Sequence, residues 1–469
     1  TQRQLISDIQ PGRLATQGRS AWGIWWLGLT LAWAAAAAPW QGMAAASEPA
    51  FWWQLRQHAL YLSGIWSIGM MSLVMLLSLR QRWMERPLGG MDQVYRLHKW
   101  AGIAAAVAAV LHWGAKESSG LIKGMVGTAG RVPREAVLSW ATDWRGTAKD
   151  LGEWAFYALL IMVVLTLWQR LLPYRPWRKL HRVMPALYLL LAFHTLALTP
   201  LTFWQAPLGM VMAALLLVGS VAALWSLAGR IGRGRNRYAA QVHEARVLGG
   251  AAGQAPLEVL CAMPKNWPGH RAGQFVFASF EGAEGPHPFT IASAPEGCGR
   301  TADGKELLRL VIKPLGDYTR RLPSLLQPGQ AVQIEGPYGC FDAQGGAART
   351  QVWVAGGVGI TPFLALLQAR QPGVAGRDGL QPAHLHYCTR NAAQDVLLPQ
   401  LQALCEAAQP SVRLQVHDAA QGEYLTPEHL AQYGAQLDIW LCGPAGLGKA
   451  MRQAQQRGWR IHQEAFQMR

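Results

Sequence analysis

Cysteine is scarce in this sequence: there are six cysteines among 469 residues, and none forms a CxxC pair. So few thiols cannot hold together a chain of this length, which excludes a disulfide scaffold. The missing CxxC pairs disfavour a cysteine-ligated iron–sulfur cluster or zinc ribbon. All six cysteines lie after residue 237, and this distribution fits a reducing cytosol around that half of the chain.

Charged residues are also few, at 15% of the chain against about 25% in an ordinary soluble domain. Acidic residues are the scarcer sign, with 27 Asp and Glu against 43 Lys and Arg, which gives a net charge of +16. Hydrophobic residues reach 51%, so intrinsic disorder is excluded. The mean hydropathy is only +0.08, which indicates an apolar part joined to a soluble part. No calcium-binding loop of the DxDxDG type is present, so we expect no calcium switch.

Long apolar runs fill the amino-terminal half, where 18 of the 22 tryptophans also lie. A bilayer span needs about 20 residues at about 1.5 Å of rise each. Six runs meet this length: 21–40, 59–79, 95–115, 154–172, 181–198 and 207–227. The sequence therefore predicts a tail over 1–20 and an α-helical six-span membrane bundle over 21–229.

Lysine and arginine cluster in the tail, in the second and fourth connections and after the last run. In a six-span bundle these segments share one side, and that side is cytoplasmic. The sequence thus predicts a multi-pass protein of the bacterial inner membrane, in contact with lipid, with both termini in the cytoplasm. The positive charge reflects this bias, and no element typical of a nucleic-acid partner accompanies it.

Four histidines lie inside the apolar runs: His98 and His112 in the third, His181 and His194 in the fifth. Each pair is separated by about 20 Å along a helix, so the two helices offer histidines at matched depths. Polar groups at membrane depth are costly and mark function, and neutral imidazole is a good axial ligand for haem iron. We predict two b-type haems, one between His98 and His181 and one between His112 and His194. Interfacial or proton-relay histidines are the alternative.

Helical geometry suits the spacing of His98 and His112 on one helix better than that of His181 and His194 on the other. Fourteen residues return to within about 40° of the start, whereas thirteen miss by about 140°. Pro185 lies between His181 and His194 and is expected to kink or unwind the helix there.

After Arg237 the pattern changes to short β-rich runs separated by glycine and proline, which predicts a β-barrel over 238–345. From Gln351 strands alternate with helices, which predicts an α/β parallel-sheet domain over 348–469. Gly356, Gly357 and Gly359 fall between a strand and a helix, where backbone N–H groups suit a pyrophosphate. A tight turn without a ligand is the alternative.

Several short motifs follow one another in the order found in ferredoxin–NADP reductase-like modules. They are HPFTIASAP (287–295), GDYT (316–319), EGPYG (335–339), GGVGITP (356–362), CTRN (388–391), LCGPAG (441–446) and HQEAF (462–466). The segment GGMDQVYRLHKWAG (89–102) and the histidine spacing resemble the ferric reductase and NADPH oxidase superfamily. The resemblance covers about residues 55–469.

The resemblance implies an FAD site in the barrel and an NADPH site in the α/β domain. The FAD-binding residues would be His287, Pro288, Phe289, Thr290, Lys313, Gly316 and Thr319. The NADPH-binding residues would be Gly356, Gly357, Gly359, Thr361, Pro362, Thr389, Arg390, Gly443 and Pro444. Cys442 would lie beside the nicotinamide, and Glu464 and Phe466 would belong to a carboxyl-terminal segment that covers the flavin. A buried thiol at Cys442 and core packing at Phe466 are the alternatives.

In related reductases a hydroxyl residue and an arginine bind the 2′-phosphate of NADPH, and Thr389 and Arg390 hold those positions here. The planar fork of arginine makes charge-assisted bidentate bonds to phosphate. An NAD-preferring site would more often offer an acidic residue. Asp395 is the nearest acid, and we expect it inside the following helix. An arginine at the sheet edge that faces water is the alternative.

The resemblance as a whole implies an NAD(P)H-dependent flavohaem oxidoreductase. Electrons would pass from NADPH through FAD and two haems to a small acceptor on the outer side, a ferric chelate or oxygen. Lys116, one turn beyond His112, and the absence of arginine from 59–79 favour ferric reduction. A quinone- or partner-protein-linked electron-transfer protein is a second reading. A transporter with a nucleotide-binding regulatory domain is a third, from another class.

Overall fold

The computed structural model describes residues 25–37, 43, 46–168, 174–229, 236–250, 255–280, 285–295, 297–343, 349–372, 381–453 and 458–463. The chain divides into two compact units. The helical unit falls within Gln17–Met84 and Gln93–Arg233. The sheet unit combines Glu85–Asp92 with Gly234–Arg469.

The regular secondary structure in the first part of the described chain is all helical. In order they are α1 (Trp25–Ala37), α2 (Glu48–Ser78), α3 (Arg82–Leu88), α4 (Met91–Glu117), α5 (Ser119–Val126), α6 (Ala141–Leu167), α7 (Tyr174–His181), α8 (Met184–Leu198), α9 (Leu201–Trp204) and α10 (Pro207–Leu227).

Four stretches of the described chain are long and apolar enough to cross a membrane: Glu48–Ser78, Ala141–Leu167, Pro176–Leu198 and Pro207–Leu227. The other two predicted runs fall on α1 and α4, which do not meet that measure. Small residues such as Ala101, Ala105 and Ala223 are fully buried between the helices, where they allow the backbones to approach closely. Large apolar side chains on the outward faces are exposed, as expected for a multi-pass membrane protein.

The predicted interruption near Pro185 is present. The helix α7 ends at His181 and α8 begins at Met184, so Arg182 and Val183 separate them. Pro185 lies in the first turn of α8, where a missing N–H leaves no helical hydrogen bond unmade. His181 and His194 therefore do not lie on one regular helix, and the 140° mismatch of an ideal helix does not apply.

Eleven strands and five longer helices form the described sheet unit after residue 236. They are β1 (Arg237–Val247), β2 (Leu257–Ala262), β3 (Phe275–Ser279), β4 (His287–Thr290), β5 (Leu307–Ile312), α11 (Asp317–Leu325), β6 (Ala331–Tyr338), β7 (Thr350–Gly356), α12 (Thr361–Gln368), β8 (Ala383–Thr389), α13 (Leu398–Ala407), β9 (Val412–Asp418), α14 (Pro427–Ala431), β10 (Leu437–Cys442), α15 (Ala445–Gln453) and β11 (Arg460–Gln463).

The first six strands form an antiparallel sheet in the order β4-β3-β6-β1-β2-β5. A bridge between Ile291 and Leu310 joins the two edges of this sheet, which makes it a near-barrel. Its interior is filled by alternating side chains such as Val259, Leu308 and Ile334, all fully buried. The alternation arises because successive residues of a strand point to opposite faces.

The remaining five strands form a parallel sheet in the order β11-β10-β7-β8-β9. β7 and β10 are buried almost throughout, as expected for strands covered on both faces. Gly356, Thr389 and Cys442 end three neighbouring strands at the same edge. In an open parallel sheet that edge is where ligands bind.

Candidate functional site: two histidine pairs and a reductase module

The four histidines of the helical unit face one another in two pairs. The ring centroids of His98 and His181 are 6.2 Å apart, and those of His112 and His194 are also 6.2 Å apart. The rings are steeply inclined to each other, at 69° and 83°. Each pair joins α4 to the segment formed by α7 and α8, at one of two depths.

Three of these histidines use Nδ1 to contact a backbone carbonyl: His98 with Val74 O at 3.1 Å, His112 with Leu60 O at 2.8 Å and His194 with Ala148 O at 2.8 Å. Because a carbonyl only accepts, each Nδ1 carries the proton and Nε2 keeps its lone pair. A metal-bound histidine in proteins is commonly held in this way by a second hydrogen bond.

The spacing within each pair suits one metal ion between two imidazoles. Two nitrogen–metal bonds of about 2 Å and two half-rings of about 1 Å each sum to about 6 Å. The observed 6.2 Å agrees with this value in both pairs. The residues present therefore fit bis-histidine ligation of a haem iron at each depth.

Two glycines that the sequence analysis did not select make room for the outer pair, His112 and His194. A Cβ on Gly152 would lie 2.0 Å from Nδ1 of His194, and a Cβ on Gly64 would lie 3.1 Å from Nδ1 of His112. No Cβ approaches another atom as closely as 2.0 Å without displacement. Glycine on α6 and α2 is thus what lets both imidazoles pack against helix backbone.

His181 is held differently from the other three histidines. Its buried Nδ1 has no hydrogen-bond partner among the described residues, and the indole of Trp177 stacks on its ring at 5.1 Å and 22°. The indole N–H of Trp177 donates to Thr166 Oγ1 at 3.1 Å, which fixes the indole. Stacking by Trp177 thus restrains the plane of the His181 ring.

A non-helical segment over 127–140 is bonded to neighbouring helices through one carboxylate. The carboxylate of Glu135 accepts hydrogen bonds from Gln57 at 2.8 Å, Tyr61 at 3.3 Å and Thr202 at 3.4 Å. These bonds tie the segment to α2 and α9. Nearby, the Lys116 ammonium is paired with Glu153 at 2.6 Å and Glu117 at 3.2 Å, so its charge is neutralised.

Two of the flavin motifs meet in the near-barrel. The strand β4 is the HPFT motif, and it pairs antiparallel with β3, with Thr290 opposite Phe275. The His287 ring stacks on Tyr318 of α11 at 4.5 Å and 21°. The HPFT strand and the GDYT turn therefore share one region of the surface.

The GDYT turn begins the helix α11. Gly316 caps the helix, and the Thr319 hydroxyl accepts from the Gly316 N–H at 3.0 Å. Gly316 is exposed and has no side chain over the following N–H groups. Such a helix start suits a phosphate. Lys313, assigned to the FAD side by resemblance, has its ammonium 3.9 Å from where a Cβ on Gly357 would stand, so it also borders the nucleotide turn.

The glycines of the GGVGITP turn pack directly on the end of the neighbouring strand. A Cβ on Gly359 would lie 2.2 Å from the carbonyl oxygen of Cys442, and a Cβ on Gly356 would lie 2.6 Å from Cδ of Pro444. Gly357 adopts a φ of +55°, a conformation that glycine adopts without strain. The structure thus brings the GGVGITP turn and the CGP segment (442–444) together.

The GGVGITP turn continues into α12, whose first residues are Thr361 and Pro362. The Thr361 hydroxyl donates to Val358 O at 3.0 Å, which fastens the turn to the helix start. Pro362 suits the first turn because its missing N–H would have no helical partner. The backbone N–H groups at this helix start therefore lie beside the turn.

The expectation for Asp395 was wrong. Asp395 precedes α13, at the end of a short 3-10 turn, and its carboxylate folds back on β8. It accepts hydrogen bonds from Thr389 Oγ1 at 2.6 Å and Tyr387 OH at 2.7 Å. Burial and this carboxylate raise the pKa of Tyr387 far above its usual range, so the phenol stays protonated and donates. The helix α13 begins only after Asp395, because the Asp395 side chain also accepts from the Leu397 N–H at 3.0 Å.

Arg390, in contrast, is exposed at the same sheet edge. The proposed catalytic residues Glu464 and Phe466 lie outside the described residues. The described chain ends with β11, which runs parallel to β10 and sets Gln463 opposite Leu441.

Comparison with known protein families separates the chain into the same two parts. Residues 63–192 match the ferric reductase-like transmembrane component, and residues 253–342 match an FAD-binding domain. The chain thus combines a ferric reductase-like transmembrane component with an FAD-binding domain. The transmembrane match includes His98, His112 and His181, and it ends two residues before His194.

Curated proteins are similar to parts of the chain. It is 32% identical over 146 residues to the vanillate O-demethylase oxidoreductase of Pseudomonas sp. (strain HR199 / DSM 7063), covering 30% of this chain and 43% of that one. It is 33% identical over 183 residues to the ferredoxin–NAD(+) reductase component of the alkene monooxygenase system of Xanthobacter autotrophicus, covering 37% and 53%. It is 31% identical over 87 residues to NADPH oxidase 1 of Mus musculus, covering 18% and 13%. The chain spans about half the length of the first two relatives.

Proposed function

We propose that the protein is a transmembrane oxidoreductase that passes electrons from NADPH, through FAD and two b-type haems, to a small acceptor on the outer side of a bacterial inner membrane. The two histidine pairs, each with 6.2 Å between ring centroids, carry this proposal. Six spans with both termini in the cytoplasm would put the reductase module on the inner side. When bound, flavin takes two electrons as a hydride and releases them singly, which haem requires.

The histidines would act as fixed ligands. His112 and His194 are each oriented by a carbonyl and backed by a glycine, so Nε2 is directed away from helix backbone. Ligands that are already oriented lose little freedom when they bind a metal. His98 with His181 would hold the inner haem, and the other pair the outer one.

The reductase module would hold both nucleotides at the carboxyl edge of the parallel sheet and along the HPFT strand. β4 and the start of α11 would receive the flavin ring and its diphosphate. The GGVGITP turn, the start of α12 and Lys313 would receive the diphosphate of NADPH, because their N–H groups and ammonium match its charge. Cys442 and Gly443 would then lie beside the nicotinamide.

A ferric chelate is the favoured acceptor. In the oxidases, polar groups over the outer haem accompany oxygen reduction, whereas here the Lys116 charge is consumed by Glu153 and Glu117. The segment over 127–140 is held to α2 through Glu135. Electron transfer to a chelate at this surface needs no proton donor at the site.

The test uses the full chain in proteoliposomes that enclose a membrane-impermeant ferric chelate. NADPH is added outside, and ferrous iron inside is measured with a trapped chromogenic chelator, alongside superoxide formation. We expect ferrous iron to form in vesicles whose protein contains FAD and two low-spin haems. His112→Ala or His194→Ala should abolish this signal while NADPH still reduces an external dye.

The alternatives give different outcomes. Protein without a haem absorbance band contradicts the haem assignment and favours the transporter. Reduction that appears only when a quinone is added favours the quinone-linked reading. Superoxide formation without ferrous iron would identify oxygen as the acceptor.

Arg390→Ala is expected to raise the KM for NADPH roughly 10- to 100-fold and to leave the KM for NADH nearly unchanged. The loss corresponds to about 1.5–3 kcal/mol for one charge-assisted bond to phosphate. Arg390 would carry this recognition without Thr389, since the Thr389 hydroxyl donates to Asp395. Steady-state dye reduction with both nucleotides measures the effect.

Arg413 offers a matched control, since it is an exposed arginine near the opposite end of the neighbouring strand β9. Arg413→Ala should leave both KM values at the wild-type level. Equal losses for NADPH and NADH in Arg390→Ala would mean that Arg390 supports the fold and does not bind the 2′-phosphate.

A further inference from the structure

We propose that Gln368 and Gln400 are positioning residues for hydride transfer, because they fasten the helices that follow both nucleotide-binding turns to the near-barrel, at β5 and at the segment after the flavin strand. This inference rests on the proposed function. Both glutamines belong to the α/β part of the sheet unit, and both accept hydrogen bonds from the near-barrel. Neither belongs to a motif that the sequence analysis selected.

Gln400 lies in the first turn of α13, and its Oε1 accepts from Arg309 Nη2 at 2.9 Å. Arg309 is buried in β5, with 6% of its surface exposed, and its guanidinium is fixed by Glu258 at 2.6 Å. Because Glu258 holds the guanidinium in place, Arg309 cannot move with Gln400 if α13 shifts. The bond therefore anchors the start of α13 to a rigid point on the barrel.

Gln368 ends α12, and its Oε1 accepts from the backbone N–H of Ala294 at 2.9 Å. A Cβ on Gly297 would come within 2.8 Å of the same oxygen, so the amide is closely enclosed. The donor is main chain, and it cannot turn away as a side chain could. This bond anchors the end of α12 to the barrel.

The two anchor points are neighbours on the barrel. The Ala292 N–H donates to Arg309 O at 2.8 Å, and the Arg309 N–H donates to Ser293 Oγ at 3.3 Å. Residues 291–295 follow directly after β4, the strand assigned to the flavin. Gln368 therefore binds the continuation of the HPFT strand directly, and Gln400 binds Arg309 of β5, which is hydrogen-bonded to that continuation.

The starts of the same two helices follow the nucleotide turns. α12 begins at Thr361, at the end of the GGVGITP turn, and α13 begins three residues after Asp395, which holds Thr389. Helices are stiff, so an anchor at one point of each fixes the turn that precedes it. The two nucleotide-binding turns are thereby held at a fixed distance from the flavin strand.

Hydride transfer depends steeply on that separation. With both cofactors bound, the C4–H bond of the nicotinamide would break with its electron pair and an N–H bond would form on the flavin, so that NADPH would be oxidised to NADP⁺ and FAD reduced to FADH⁻. A misplacement of about 1 Å can cost about 100-fold in rate. We therefore expect the anchors to act on the rate of this step and not on the binding of either nucleotide.

The test measures flavin bleaching by NADPH in anaerobic stopped flow, with the full detergent-purified chain. Gln368→Leu and Gln400→Leu should each slow bleaching at saturating NADPH about 10-fold, and the double variant roughly 100-fold. FAD content and the NADPH dissociation constant should stay unchanged. The long-wavelength absorbance that reports nicotinamide stacked on flavin should weaken, which a general loss of folding would not produce at full FAD content.

Gln368→Glu and Gln400→Glu keep an acceptor oxygen and should restore most of the rate. Gln402→Leu, an exposed glutamine on the same helix as Gln400, is the matched control and should behave as the wild type. Bleaching at the wild-type rate in the double leucine variant overturns the inference, and so does a raised dissociation constant with an unchanged rate. If neither nucleotide bleaches the wild-type flavin, the proposed function itself fails.

Discussion

Gly152→Ala is expected to lower the haem content of the purified protein from two per chain to one. The added Cβ would lie 2.0 Å from Nδ1 and 2.3 Å from Cε1 of His194, so the ring must leave its position. That movement also breaks its hydrogen bond to Ala148 O, which sets the direction of Nε2. A ligand that is misdirected on one side cannot complete bis-histidine ligation with His112.

Haem content by the pyridine haemochrome assay, together with low-spin signals in electron paramagnetic resonance, measures this loss without using activity. Transmembrane iron reduction should fall with it, while dye reduction by the reductase module continues. Alanine favours a helix over glycine by about 1 kcal/mol, so the substitution should not weaken α6 itself. The loss of haem would therefore come from displacement of the His194 ring alone.

Gly146→Ala is the matched control, because it lies on the same helix and a Cβ there meets nothing within 4 Å. It should retain both haems. Two haems in Gly152→Ala at wild-type occupancy would show that His194 does not bind iron in the position described.

Gly359→Ala is expected to reduce flavin reduction by NADPH at least about 100-fold, with FAD still bound. The new Cβ would lie 2.2 Å from the oxygen and 2.6 Å from the carbon of the Cys442 carbonyl, and 2.9 Å from Gly443 Cα. All three atoms are backbone, so no side chain can turn aside to relieve the overlap. Either the GGVGITP turn or the end of β10 must move.

Both of those segments border the proposed nicotinamide nucleotide site, whereas the flavin strand β4 lies in the near-barrel. The measurement is therefore dye reduction with NADPH, compared with FAD content by fluorescence after release. Gly446→Ala, where a Cβ has open space, should keep wild-type turnover. Full turnover in Gly359→Ala would exclude the turn from nucleotide binding.

The flavin and nucleotide motifs show how much can be predicted from the order of motifs along the chain. HPFT and GDYT lie 25 residues apart or more along the chain, yet the family resemblance assigned both to FAD, and His287 stacks on Tyr318. The motifs carried this information because their residues serve backbone conformations that recur in the family. Lys313 shows what the resemblance did not predict. It was assigned to the FAD side, whereas its ammonium borders Gly357 of the nucleotide turn.

Local pattern determined much about this protein: the apolar runs, the positive-inside bias, the change to β-rich segments at residue 237 and the break at Pro185. Each follows from neighbouring residues alone, through hydropathy, charge or a missing N–H. The depth-matched histidines also follow, because helical rise converts spacing into distance.

Which residues support the histidines and the nucleotide turns depends on how the helices and strands pack. Gly64 and Gly152 matter because imidazoles from other helices reach them, and Asp395 leaves its helix because Tyr387 and Thr389 donate to it. The Gln368 and Gln400 anchors join segments 74 and 91 residues apart. Contacts of this kind depend on which surfaces meet when the chain packs, and no periodicity or motif in the sequence encodes that meeting.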